Sequence, residues 1–210
     1  IMKLTKLAFA ILTIATMLTT TSCNNSTSGD SAPAVESNQA LDAIYTRTSV
    51  RQYDASRAIA KDTVDMILRA AMSAPTAVNR QPWAFVVIDK REILDSLAEG
   101  LPYAKMLKHA PLAIIPCGDL DKALEGDGQA FWIQDVSAAT ENMLIAANAL
   151  GVGAVWTAVY PDESRIDAVR KVLGMPASIM PLAVVPMGYP AGEHHPKDKW
   201  KPENIHYNGW

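Results

Sequence analysis

Ala74-Pro75-Thr76-Ala77-Val78-Asn79-Arg80-Gln81-Pro82-Trp83 is the stretch on which the reading of this chain turns. It separates a helical pattern from a strand pattern, and it fixes the backbone twice within eight residues, at Pro75 and Pro82. A small polar loop braced in this way can present backbone and amide groups to a flat polar ring. It can equally be a rigid entry into a strand, since Pro-Trp often serves only that purpose.

Upstream, Lys61 or Asp62 opens a helix with Val64, Ile67, Leu68 and Ala71 at helical spacing, and Pro75 lies at its stop. Downstream, Phe85 to Ile88 is a β-branched apolar run and reads as a strand, as does Leu112 to Cys117. Phe131 to Leu150 is the longest helical pattern and is apolar on most sides, which predicts a central, buried helix. Gly151 follows it where a left-handed stop is expected. Gly153 to Val159 predicts one strand, Asp162 to Leu173 a helix and Leu182 to Met187 a last strand, with a short helix at Gln39 to Tyr45 before all of these. Helices first, then strands separated by helices, predict an α+β or α/β layer with a sheet between helices. No Gly-x-Gly-x-x-Gly turn and no Walker loop occurs, so a nicotinamide cofactor has no Rossmann unit to occupy.

Arg47-Thr48-Ser49-Val50-Arg51 is the second informative stretch. Two guanidinium groups four residues apart, with two hydroxyls between them, suit a phosphate. The same residues would also serve as a basic, solvated turn after a helix.

Composition narrows the function. The 210 residues are 49% hydrophobic and 20% charged, which is ordinary for a globular protein. A formal net charge of −3 disfavours nucleic acid as a partner. Cys23 and Cys117 are the only cysteines, too few for a disulfide framework or a four-thiolate zinc site. Cys117 lies in the apolar run from Pro111 and reads as a buried, inert thiol. His194-His195 reads as a solvated loop pair rather than a metal site. Asp135 and Glu141, alone on the long helix, read as structural carboxylates.

The first residues stand apart from this pattern. Met2, Lys3 and Lys6 precede an apolar run from Leu7 to Leu18, too short to span a bilayer comfortably and right for a secretory signal. Thr19-Thr20-Thr21-Ser22-Cys23 resembles the bacterial lipobox, with Thr20 where Leu is common. The expected organisation is a lipoprotein signal over residues 1–22, lipidation of Cys23, a flexible tether over 23–37 and one domain over 38–210. This places the domain on the periplasmic or cell-surface side of a membrane, held there by the lipid anchor alone.

Taken together, Arg47-x-Ser49-x-Arg51, the proline loop ending Asn79-Arg80-Gln81-Pro82-Trp83, the run Leu150-Gly151-Val152-Gly153-Ala154-Val155-Trp156 and the closing Gly188-Tyr189-Pro190 resemble the nitroreductase family of flavoproteins. The resemblance covers roughly residues 40–206. It implies an α+β fold, with a central, mostly antiparallel sheet flanked by helices, working as an intertwined homodimer with FMN at the subunit interface. It implies that Arg47, Ser49 and Arg51 hold the FMN phosphate with backbone help from Thr48. Pro75, Thr76 and Ala77 would come from the partner subunit and lie along the isoalloxazine, with Asn79 hydrogen-bonding the flavin or ribityl region. Trp156, Thr157 and Ala158 would bring backbone amides to the flavin N5/O4 edge. Lys199 and Lys201 are the matches for basic residues that the family returns to the phosphate, often as Arg. The chain departs from the family pattern at two places, the first removing one hydroxyl contact and the second bearing on substrate selection. Thr76 and Ala77 stand where serines are frequent, and the segment after Trp156 lacks the glutamate and glycine of some members.

The implied activity is electron transfer from reduced nicotinamide (NADH or NADPH), through FMN, to electron-poor acceptors such as nitroaromatics or quinones, in a ping-pong order. No catalytic side chain is required, because the flavin carries the chemistry. An exported domain would meet little reduced nicotinamide, so a membrane partner or another donor stays open. Two other readings stay open as well. One is an FMN-binding protein without turnover. The other is a reductive dehalogenase or flavin-consuming relative on the same fold, whose lid would fall within 99–128.

Overall fold

A computed structural model describes residues 38–210. The signal segment, Cys23 and the tether expected over 1–37 lie outside the described residues. Helix α1 (Gln39–Thr46) is followed by α2 (Lys61–Ala71), β1 (Trp83–Ile88), α3 (Arg91–Gly100), β2 (Leu112–Asp119), α4 (Phe131–Ala149), β3 (Gly153–Ala154), β4 (Thr157–Ala158), α5 (Glu163–Leu173), β5 (Ile179–Pro181) and β6 (Ala183–Gly188). The sheet runs β1-β2-β6-β3, with β5 on β2 and β4 on β6, and every strand pair is antiparallel. The fold is α+β, as expected.

Helices cover both faces of the sheet, which explains why β2 and β6 are apolar without a break. Strand β2 alternates strictly. Leu112 and Ile114 pack with Val64, Ile67 and Ala71 of α2 and with Ala139, Met143, Leu144 and Ala147 of α4. Ala113, Ile115 and Cys117 face the opposite way, onto Leu94, Leu97 and Ala98 of α3 and Ile166 and Val169 of α5. Helix α4 contributes eight buried residues, which accounts for its weak amphipathicity. Among the described residues no helix is long and apolar enough to cross a membrane.

The helix ends follow local chemistry. Asn38 caps α1 by accepting from the N–H groups of Ala40 and Leu41, and Asp162 caps α5 by accepting from Arg165. Helix α2 ends at Ala71, before Pro75, and Gly151 takes φ +72° after α4. Helix α1 buries nothing of its own, and Asn148 of α4 holds it by donating to the Ala43 carbonyl and the Thr46 hydroxyl.

Three features differ from expectation. Helix α3 and the short strand β5 occupy stretches for which no element was assigned. The single strand expected over Gly153 to Val159 is two strands interrupted at Val155-Trp156. The cause is Pro186, which stands opposite Val155 in the register that joins Ala154 to Met187 and Thr157 to Val184. The Pro186 carbonyl accepts from Val155 at 3.4 Å, but Pro186 has no N–H to return, so the ladder lapses there. The span 99–128, where a lid could lie, is largely structural. It contains all of β2, and Leu101, Ala104, Leu107 and Ala110 are buried in it.

Candidate functional site

The segment from Arg47 to Tyr53 is docked into the fold by small residues opposite large ones. Ser49 bridges to Ala154 in parallel fashion, and the Val50 N–H donates to the Ala154 carbonyl at 3.0 Å. Val50 lies against Gly153, where a Cβ would come within 2.7 Å of it. Tyr53 lies against Gly188, where a Cβ would meet Pro111 at 2.8 Å and Tyr53 at 2.9 Å. The buried Tyr53 hydroxyl sits 2.6 Å from the Val50 carbonyl and 3.1 Å from that of Pro186, so its one proton ties this segment to β6. Burial pushes the phenol pKa well above its ordinary value, which keeps that proton in place.

The tail beyond β6 then turns back over this segment. Asp54 N–H donates to Tyr189, Ala191 N–H donates to Gln52, and Arg57 stacks 3.7 Å above the Tyr189 ring. Gly192 adopts φ +74°, and a Cβ there would sit 2.6 Å from the Gln52 side-chain oxygen, so the turn needs glycine. The Thr48 hydroxyl donates to the His195 carbonyl at 3.2 Å and closes the arrangement.

The result is a concave pocket of about 470 Å³ whose walls include Arg47, Ser49, Arg51, Lys197 and Lys199. Four fixed cations and the Ser49 hydroxyl converge there, with Glu193 the one carboxylate in the lining. That donor set fits a phosphate dianion. Arg47 is also paired with Glu141 of α4, Nε to Oε1 at 3.0 Å.

Of the expected phosphate residues, Arg47, Thr48, Ser49, Arg51 and Lys199 come together. Lys201 does not line the pocket. Asp198 accepts from the Trp200 N–H at 2.9 Å and bends the tail just before it. Lys197, rather than Lys201, stands in the wall beside Lys199. His194 and His195 are solvated, as expected, but they sit on the pocket's rim.

The proline loop forms a second, separate surface. Val78, Asn79 and Gln81 all have positive φ (42°, 56° and 51°), rare for any side chain and rarest for β-branched valine. The surrounding structure enforces this. Ala77 N–H donates to the buried Asp135, Gln81 N–H donates to the Thr76 hydroxyl, and the Gln81 amide donates to Asn79. Thr76 thus braces the loop with the hydroxyl it would offer a ligand. Val78 is left 78% exposed.

Trp156 sits at the break between β3 and β4, half-buried and packed by the clusters around Met143 and Trp132. The Thr157 hydroxyl is spent on the Val184 carbonyl at 2.6 Å, and Ala158 is exposed. Neither Pro75–Asn79 nor Trp156–Ala158 lines the phosphate pocket of the same chain.

Fold and site define an α+β protein with a cation-lined pocket between the end of its first helix and its tail. The model of the nitroreductase family matches residues 44–104 and 97–189, and the chain belongs to that family. A Methanothermobacter thermautotrophicus protein named "Putative NADH dehydrogenase/NAD(P)H nitroreductase" is 44% identical over 170 residues, covering 81% of this chain and 87% of the relative. A crystal structure of a like-named Parabacteroides distasonis protein is 48% identical with a TM-score of 0.78, covering 83% of this chain and all of that one. A Desulfovibrio desulfuricans family structure in complex with FMN is 28% identical with a TM-score of 0.71, covering 83% of this chain and 99% of that one.

Proposed function

We propose that this chain is an FMN-dependent NAD(P)H oxidoreductase that delivers electrons to electron-poor acceptors such as nitroaromatics or quinones. The observation that carries the reading is the convergence of Arg47, Ser49, Arg51, Lys197 and Lys199 on one pocket sized for a phosphorylated cofactor. When bound, FMN supplies the hydride-accepting and electron-donating chemistry.

The chain's own part is to hold, orient and shield. Arg47 and Arg51 anchor the phosphate through charge-assisted hydrogen bonds, and Lys197 and Lys199 close over it from the tail. The Val155-Trp156 break leaves backbone groups outside the sheet ladder, available to the polar edge of a flat ring. The strained loop at Pro75, Thr76, Ala77 and Asn79 is rigid enough to press against such a ring. It lies apart from the phosphate pocket within one chain, so a homodimer that lends each site its partner's loop is the assembly this reading requires. Reduced nicotinamide and acceptor use the same slot in turn, which gives a ping-pong order.

The reading extends to location. Lys3, Lys6, the apolar run to Leu18 and the lipobox-like Thr20-Thr21-Ser22-Cys23 support an exported lipoprotein tethered by Cys23. Globomycin sensitivity of processing, and its loss in Cys23→Ser, would test that part.

The activity is tested by the absorbance spectrum of the purified protein before and after anaerobic NADH and NADPH. Bound flavin that bleaches supports the reductase and identifies the nicotinamide. Flavin that binds without bleaching favours another donor or a binding protein without turnover. A protein that takes up no FMN overturns the reading.

A further inference from the structure

Helix α4 reaches the phosphate segment at two points. Glu141 pairs with Arg47, Oε1 to Nε at 3.0 Å. Two turns further along the helix, Asn148 donates to the Ala43 carbonyl at 3.0 Å and to the Thr46 hydroxyl at 2.9 Å. These two positions share a helix face. Thr46 directly precedes Arg47, so one rigid helix engages both the chain that leads into Arg47 and the guanidinium at its tip. Helix α1 buries no residue, and polar contacts of this kind therefore weigh heavily in how its end is placed.

Arg47 is one of the pocket's walls, whereas Glu141 is not among the residues that line it. The guanidinium carries several N–H donors in a planar fork, so a carboxylate at Nε leaves donors for a second anion. We propose that Glu141 is a positioning residue of the phosphate site, holding the Arg47 guanidinium in the orientation that receives the flavin phosphate. The inference rests on the flavin reading above. The two side chains are 18% and 47% exposed, a setting in which an ion pair adds little to stability. Its effect is on order instead. An arginine has many rotamers, and a fork already held in one plane loses less freedom when it takes up a phosphate. A carboxylate close to the site also repels a phosphate through space. Positioning and repulsion thus act on affinity with opposite signs.

The test is equilibrium binding of FMN and of riboflavin to the flavin-stripped full chain, followed by flavin fluorescence. The variants are Glu141→Ala, Glu141→Gln, Arg47→Ala and Glu141→Ala combined with Arg47→Ala. Alanine and glutamine both suit a helix interior, so α4 is retained. The expected result is that Glu141→Ala weakens FMN about fivefold or more, as the loss of a coupled neighbour does. Riboflavin, which has no phosphate, should stay within about twofold. Glu141→Gln keeps an acceptor oxygen and should recover most of the loss, and Glu141→Ala should have no further effect once Arg47 is gone. FMN bound equally or more tightly by Glu141→Ala overturns the inference and leaves the flavin reading intact. Equal loss of both flavins does the same, since it marks Glu141 as a general support of the domain, and so does an undiminished loss in the Arg47→Ala background. A parent protein that binds neither flavin overturns the flavin reading as well.

Discussion

The N–H of Ala77 donates to Oδ1 of Asp135 at 2.8 Å, joining the strained proline loop to the buried face of the longest helix. Asp135 is 6% exposed, so the carboxylate works where water competes little. Its anchor lies at the foot of a loop that holds three side-chain-bearing residues in the left-handed region. Asp135→Ala removes the acceptor and leaves Ala77 with an unsatisfied donor. We expect a loss of about 1–3 kcal/mol of stability by urea denaturation. Asp135→Asn keeps an acceptor oxygen and should recover most of it.

Arg47→Ala and Arg51→Ala each remove a charged donor from the phosphate pocket. Each should weaken FMN retention by about 1.5–3 kcal/mol, read as flavin released on dilution. Riboflavin, which lacks the phosphate, should be insensitive to both. Unchanged FMN affinity in both variants would contradict the phosphate assignment.

Gly153→Ala and Gly188→Ala test how the arginine segment is seated. The added Cβ would fall 2.7 Å from Val50 in the first and 2.8 Å from Pro111 in the second, too close in either case. Overpacking of this kind costs about 1–3 kcal/mol. Because Val50 and Tyr53 lie within and beside the phosphate segment, FMN affinity should fall along with the melting temperature. A variant that loses stability but keeps full affinity would separate the two.

Alkaline pH should destabilise the protein in a defined way. Burial pushes the Cys117 thiol from 9.0 up to about 12, and raises the Tyr53 phenol from 10.0. Below pH 9 both groups are protonated in the folded and unfolded chains alike, and neither contributes a pH slope. Above it the unfolded chain releases these protons and the folded chain does not, so stability falls as pH rises from about 9 toward 12. Urea midpoints at pH 8 and pH 10.5 should differ accordingly, with a shallower decline in Cys117→Ala. The same burial predicts that Cys117 is inert to thiol reagents until the protein unfolds.

Much of the fold was legible because its signals are local. The spacing of Val64, Ile67 and Ala71, the apolar length of Phe131 to Ala149 and the β-branched runs of β1 and β2 each specify an element within a few residues. The break between β3 and β4 was not legible from that stretch. It is caused by Pro186, about 30 residues away, and the effect depends on a register that only the folded sheet defines. Helix α3 has a readable face in Leu94, Leu97 and Ala98, but its signal is short and weak beside the stronger strands that flank it. At the site, Arg47, Ser49 and Arg51 were legible as a cation-and-hydroxyl triplet. The alternation of lysines at 197, 199 and 201 could not say which of them line the pocket, because that depends on how the folded tail lies against residues 47–51. Nor could the sequence pair Glu141 with Arg47, which depends on how α4 passes the first helix.

The contact between Thr48 and His195 spans 147 residues of chain. Every cation in the phosphate pocket belongs either to 47–51 or to 197–199, and the whole sheet lies between them in sequence. The pocket is therefore complete only once both ends of the domain have come together. A chain cut short before residue 197 would keep its sheet and most of its core while losing Lys197 and Lys199, two of the four cations that line the pocket.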